Sequence, residues 1–285
     1  MSSSLPPNPS PRFRTGQDLF GDEISVSELE QWYREESEAF FSQNVNSATV
    51  DPWYAYMRYV NRIYGLSYVK ELLPSNPDIL SIGPGDGTEL DDLKLFFADP
   101  RIFALEASQN FQSILSNKNL NISIVKPSFT GVINLEDHSI SLALALSVLH
   151  HIPNVAYTLN EIDRTLRPNG IVLVREPCSA MGIWGSDRGC TPNERGISKA
   201  YLLSRAKCLG WTLLRKPLPI HFEPMNKILH KFNLYRSFSP FSNYSVIYIL
   251  DLLISRVVST NDHYWRQTLF SKFGPSSYFY IFSKK

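Results

Sequence analysis

Ile79-Leu80-Ser81-Ile82-Gly83-Pro84-Gly85-Asp86-Gly87-Thr88-Glu89-Leu90 is the stretch on which the reading of this 285-residue chain turns. A short apolar strand pattern runs into glycines at 83, 85 and 87, and the chain then takes up a helical pattern. A strand, a glycine turn and a helix in that order aim backbone N–H groups at a ligand, so a polar or anionic group is expected there. Glycine is needed where a Cβ would block close approach of a ligand to the backbone. A nicotinamide dinucleotide fingerprint of the form G-x-G-x-x-G requires a third Gly or Ala at position 88, where Thr88 stands.

Working outward, short apolar runs alternate with polar-faced helical stretches from about residue 77 to 217, which is the sequence form of a parallel sheet covered by helices. Strands are predicted at Ile79-Ile82, Ile102-Leu105, Ile122-Val125, Ser141-Leu146, Ile171-Val174 and Trp211-Leu214, with a last apolar run at Tyr278-Phe282. A helix is predicted over Val155-Leu166, closed by the turn Pro168-Asn169-Gly170. Glu106 ends the second strand about 20 residues beyond the turn, where an acid can accept both hydroxyls of a ribose; the plainer alternative is a solvated neighbour of a helix N-cap.

On the N-terminal side, residues 1–22 read as a flexible tail and 23–76 as a helical segment. Ser27 and Glu30 are spaced as a capping box. In Tyr54 to Leu73, Tyr56, Tyr59, Val60, Ile63, Tyr64, Tyr68 and Leu72 mark one apolar helix face, either packed on the next domain or roofing a pocket. On the C-terminal side, 218–275 reads as a helical insertion with helices near Pro224-Phe232, Tyr244-Val258 and Asp262-Phe270. It is rich in aromatics (Phe222, Phe232, Tyr235, Phe238, Phe241, Tyr244, Tyr248), which suits a substrate lid, a dimer face or a surface resting on a membrane.

Glycine turn, Glu106, Ser147-Val148-Leu149-His150-His151-Ile152-Pro153 and Leu166-Arg167-Pro168-Asn169-Gly170-Ile171-Val172-Leu173-Val174 together resemble successive motifs of the class I S-adenosylmethionine-dependent methyltransferases, of the type 11-like kind. The likeness spans about residues 78–177. It implies an α/β, Rossmann-like, seven-stranded, mostly parallel sheet with helices on both faces, N-terminal helices, and a helical insertion before the last strand. Residues 77–217 and 276–285 form the core. It implies S-adenosyl-L-methionine as cofactor, bound by Gly83, Pro84, Gly85, Asp86, Gly87, Glu106, Ala107, Ser128, Phe129, Leu146 and Ser147. Two departures are Ser81, where the family usually keeps an acid, and Ser128-Phe129, where an acid often meets the adenine.

Methyl transfer to a hydroxyl needs a group that handles the acceptor's proton, and histidine titrates in the right range. His150 and His151 follow the fourth strand at the lip where similar enzymes hold the methyl group, and His151 falls where they most often keep a histidine. A structural histidine bound to backbone is the alternative for either. Glu176 is a candidate base or acceptor-orienting group, with Arg175 its expected ion-pair partner. The loop carrying Asp187, Arg188, Asn193, Glu194 and Arg195 reads as a substrate loop or a solvated surface loop.

Charge is nearly balanced, 28 basic against 27 acidic side chains, which gives no electrostatic reason to expect nucleic acid. A small-molecule or glycan-type acceptor fits better, and a homodimer is compatible. Cys178, Cys190 and Cys208 suggest neither a disulfide framework nor a zinc site, and no spanning or leader segment is read, so a cytoplasmic setting is expected. Two rival functions stay open: a nicotinamide-type Rossmann oxidoreductase, and a methyltransferase-like protein that binds without catalysis.

Overall fold

The structure, a computed structural model, describes residues 10–42, 52–180, 191, 193–221, 244–268 and 270–285. Its centre is one sheet of β1 (Asp78–Ile82), β2 (Arg101–Leu105), β3 (Asn121–Val125), β4 (Ile140–Leu146), β5 (Leu166–Pro177), β6 (Thr212–Leu213), β7 (Leu218–Ile220) and β8 (Ser277–Ser283). The order is β3-β2-β1-β4-β5-β8-β6, with β7 also on β8. Strands β1 to β5 are parallel and β8 is antiparallel to β5. The count of eight rather than seven has a local cause. β6 pairs with Phe282 and Ser283 and β7 with residues 277–279 of the same strand, so the two are halves of one edge strand. Pro217 and Pro219 cannot donate to a ladder, a defect that an edge strand tolerates.

Alternating side chains of the strands feed two cores, as a two-sided sheet requires. Leu80, Ile82, Ala143 and Val172 pack with helices Val155–Thr165 and Lys199–Cys208. Ile79, Leu142, Leu144 and Phe279 pack on the other side with Tyr56, Met57, Val60 and Tyr64, with Leu115 and with Ile247. Tyr56, Val60 and Tyr64 of the predicted apolar face therefore pack on the sheet, while Ile63 and Leu72 are exposed. Tyr56 donates to Asp251 at 2.7 Å, and Tyr64 donates to the Lys216 carbonyl. This helix passes through a π turn at Asn61–Leu66. At Gly65 a Cβ would lie 2.7 Å from the Phe279 ring, so glycine lets the helix approach the sheet closely.

Several local expectations move. Helix α1 (Val26–Ser42) starts before Ser27, because the reciprocal cap is made by Ser25 and Glu28: the Ser25 N–H donates to Glu28 Oε2 at 2.8 Å. The glycine turn leads into a six-residue 3-10 helix, Leu90–Leu95, instead of a full α-helix. Among the described residues of 262–270 there is no α-helix: 3-10 turns stand at Ser259–Asn261 and Phe270–Lys272, and Asn261 holds the Phe270 carbonyl at 2.6 Å and that of Phe273 at 3.1 Å. The helix Tyr244–Val258 is where the apolar period put it; it turns Ile247, Asp251 and Ser255 inward and leaves Val246, Ile249, Leu253 and Val257 exposed. The predicted helix at 224–232, the tail residues 1–9, Asp187, Arg188, Cys190 and the aromatics Phe222 to Phe241 lie outside the described residues.

Among the described residues no helix is long and apolar enough to cross a membrane.

Candidate active site

Parallel strands put their C-terminal ends on one edge, and the order reverses between β1 and β4, which opens a crevice there. The glycine turn, Glu106 and Ser147 follow β1, β2 and β4 onto that edge, and Glu176 stands near the end of β5. Gly83, Gly85 and Gly87 all have positive φ, +53°, +57° and +69°. Their neighbours divide the work. A Cβ on Gly83 would lie 2.3 Å from Val148 Cγ2, and one on Gly87 2.5 Å from Leu115 Cδ2, so those two serve packing. At Gly85 an added Cβ meets nothing within 4 Å, and this is the glycine that keeps a floor open for a ligand.

Glu106 is buried and faces that floor. Its Oε2 accepts the Gly85 N–H at 3.0 Å and its Oε1 the Ser108 N–H at 2.8 Å. Burial pushes its carboxyl above the usual range against these bonds. Each oxygen keeps a lone pair for a hydroxyl. Asp86 is exposed and caps the turn by accepting the Thr88 N–H at 2.8 Å, and Ala107 is exposed beside Glu106. Pro84, Ser128, Phe129 and Leu146 are half-buried around the crevice edge, and Ser147 takes φ +62° as the chain leaves β4.

The lip after β4 is a short 3-10 helix, Leu149–His151. Glu176 builds it. Its Oε1 accepts the N–H groups of Val148 (2.9 Å) and Leu149 (2.8 Å), and its Oε2 shares a 2.7 Å hydrogen bond with His150 Nδ1. A fully buried carboxylate spent on three local partners is an anchor for the lip and not an exposed base. Arg175 does not pair with it. Successive residues of a strand point to opposite faces, and Arg175 instead meets Glu89 at 2.8 Å and Asn61 at 3.1 Å.

His151 is partly exposed and stands in a ring of acids. Its Nδ1 is 3.0 Å from Glu36 Oε2 and 3.2 Å from Thr191 Oγ1, and its Nε2 is 3.9 Å from Glu194 Oε1. Burial lowers the imidazole's affinity for a proton.

Residues 80–174 match the family described as a methyltransferase domain. That match agrees with the resemblance of residues 78–177 to the class I S-adenosylmethionine-dependent methyltransferases. Over 101 residues it is 32% identical to an uncharacterized 37.1 kDa protein in transposon TN4556 of Streptomyces fradiae, a match covering 34% of this chain and 29% of that one. The chain thus spans under a third of the length of that relative. The 4+2 cyclase SpnF superposes with a TM-score of 0.56 at 15% identity, covering 93% of this chain and 99% of that one. Phosphoethanolamine N-methyltransferase 2 of Haemonchus contortus, solved with S-adenosyl-L-methionine, gives 0.51 at 13%, covering 86% and 60%. At such identities the likeness is one of fold, and a fold shared by a cyclase leaves the chemistry to the residues.

What the motifs of the methyltransferase domain did not reveal is its roof. Helix α1 lies over the C-terminal edge: the Trp32 indole donates to the His151 carbonyl at 2.9 Å, Glu36 reaches the His151 ring, and Tyr33 lies near enough to Glu106 for that carboxylate to help raise its phenol pKa after burial. Asn193, Glu194 and Arg195 are all buried, which removes the solvated-loop reading for these three. Asn193 donates to Glu35 at 2.7 Å. Arg195 donates to the carbonyls of Phe20 (2.7 Å), His150 (2.9 Å), Ile152 (2.8 Å) and Pro153 (2.9 Å), with its guanidinium 4.9 Å from the centroid of the Trp32 ring. Only a planar fork of five donors makes such a set. Nothing in the spacing of residues 20, 32, 36 and 195 announces it.

The buried pair in the lip has a signature in pH. Burial holds His150 down to about 3 from an ordinary 6.5 and Glu176 up to about 7 from an ordinary 4.5. Between pH 4.5 and 6.5 the unfolded chain protonates His150 while the folded chain protonates Glu176, so the pair leaves stability flat. Below that window the unfolded chain alone holds the His150 proton, and stability falls as pH falls toward about 3. Above it the folded chain loses the Glu176 proton that favours it, and stability falls as pH rises through about 7. Urea unfolding of wild type and of His150→Asn/Glu176→Gln across pH 3.5 to 8 checks this. The difference between the two is expected to peak inside the window, and a difference independent of pH contradicts the assignment.

Proposed function

We propose that the chain is an S-adenosylmethionine-dependent methyltransferase that acts on a small-molecule or glycan-type acceptor and transfers the methyl group to oxygen. The observation that carries this reading is the open, positive-φ Gly85 joined by its N–H to Glu106, with the His150–His151 lip on the same sheet edge. The cofactor fits the residues present. Gly85 leaves the floor clear, Glu106 has acceptor capacity for ribose hydroxyls, and the half-buried Phe129 offers an aromatic face to a flat base. When bound, S-adenosylmethionine supplies an electrophilic methyl group on a sulfonium.

The chain's own residues then have to exclude water and hold the acceptor oxygen in line. The roof of Trp32, Tyr33 and Glu36 covers the crevice, and the His151 lip activates the acceptor hydroxyl. Glu176 and Arg195 act on this step only by holding the lip in place.

Changing His151 to Ala is expected to leave S-adenosylmethionine affinity within about threefold while slowing methyl transfer by roughly 100-fold, the usual scale for loss of proton handling. Calorimetry and methyl transfer to a panel of hydroxylated acceptors read the two effects separately. Full transfer by the variant would move the reaction to nitrogen or carbon acceptors, which need no such group.

A further inference from the structure

We propose that the lip is also a binding site for a divalent transition-metal cation, held by His150, His151 and Glu194. One ligand atom from each of these three side chains lies within 4.8 Å of those of the other two. Two of the side chains are buried and the third nearly so, unlike the exposed acid clusters that mean little.

The surroundings match what metal-bound histidines have. In such sites the second ring nitrogen is fixed by a carboxylate, which sets the ring's orientation and raises its basicity. Both histidines of the lip have that partner: Glu176 on Nδ1 of His150 at 2.7 Å and Glu36 on Nδ1 of His151 at 3.0 Å. Both carboxylates are buried, and Glu36 Oε1 has no hydrogen-bond partner among the described residues, so its charge bears on His151. Coordination then falls to Nε2 of each ring. Nε2 of His151 is 3.9 Å from Glu194 Oε1, while tetrahedral ligands about 2.1 Å from a zinc ion stand about 3.4 Å apart. A shift of about half an ångström closes that edge of the site, and all three ligand atoms lie within 4.8 Å of one another. The two rings lie 4.0 Å apart, centroid to centroid, so both imidazoles can face one ion.

Two imidazole nitrogens and a carboxylate oxygen select zinc, cobalt, nickel or iron(II) over magnesium or calcium. With three protein ligands a fourth position remains, as in catalytic sites. Its use rests on the methyl-transfer reading: an acceptor hydroxyl placed there would give up its proton to water more readily, and its oxygen would bond to the methyl carbon as the carbon–sulfur bond breaks and S-adenosylhomocysteine leaves with the electron pair. Sequence spacing gave no hint of the site, because adjacent histidines meet a glutamate 43 positions away.

The test is a titration of the chelator-treated full chain with cobalt(II), without S-adenosylmethionine. Expected are one-to-one binding with visible ligand-field absorption, displacement by zinc, and affinity lowered tenfold or more in His151→Ala and in the shape-conserving Glu194→Gln. Glu36→Gln should weaken binding less than either ligand variant, and the exposed His263→Ala not at all. Absence of one-to-one binding in the wild type, or equal affinity in His151→Ala and Glu194→Gln, overturns the proposal. Neither result bears on cofactor binding, which is measured apart from it.

Discussion

Replacing Arg195 by Met is expected to cost about 3–5 kcal/mol of folding stability, the scale of breaking a buried, fully bonded charge. The stem of Met fills the same channel, so the loss isolates the guanidinium. Four carbonyls, of Phe20, His150, Ile152 and Pro153, lose their donors together. Leaving buried acceptors unmade is the expensive half of a hydrogen bond. The consequence is directional: residues 10–25 and α1 are tied to the lip through this side chain and Trp32, and to the helix Val155–Thr165 through Asp22, which accepts the Ala156 N–H at 2.9 Å. In Arg195→Met the N-terminal segment should therefore be cut by protease before the sheet unfolds. Arg195→Lys should rescue little, since a point charge on a flexible stem cannot reach four carbonyls. Urea unfolding with limited proteolysis checks this, and a loss below 1 kcal/mol in Arg195→Met would show that water replaces the fork.

The second large effect is on the ligand side. Gly85→Arg should lower S-adenosylmethionine affinity by about two orders of magnitude or more, ~3 kcal/mol, by filling the one position of the turn that faces open space. The fold should survive, at a cost of about 1–2 kcal/mol for a side chain at φ +57°. Gly85→Ala carries the same backbone cost with nothing to clash, and separates strain from obstruction. Retained affinity in Gly85→Arg would move the ligand away from the turn.

The sheet was legible because its signals are local. Each run of apolar residues from β1 to β5 has the length of a buried parallel strand, and Asn169 takes the positive φ that Asn-Gly favours. The glycine turn and Glu106 were legible for the same reason, since three glycines and an acid sit at fixed offsets from strand ends. Roles within the turn were not, because the notion that all three glycines face a ligand ignores what packs behind Gly83 and Gly87. The lip was half legible. His150 and His151 stand out as a pair, yet their partners come from residues 36, 176, 191 and 194, and only tertiary structure brings those together. Glu176 and Arg175 illustrate the limit: adjacency suggested a pair, and strand alternation separated them onto two faces. The broken edge strand hid because Leu218-Pro219-Ile220 is short and contains a proline, which argues against a strand everywhere except at an edge.

The central claim is that the Gly85–Glu106 crevice is an S-adenosylmethionine site. Calorimetric titration of the wild-type chain with S-adenosylmethionine, S-adenosylhomocysteine and NAD tests it most directly. Saturable one-to-one binding of the two sulfur nucleotides, with none of NAD, is the expected result, while NAD binding with no response to either sulfur nucleotide would contradict the account.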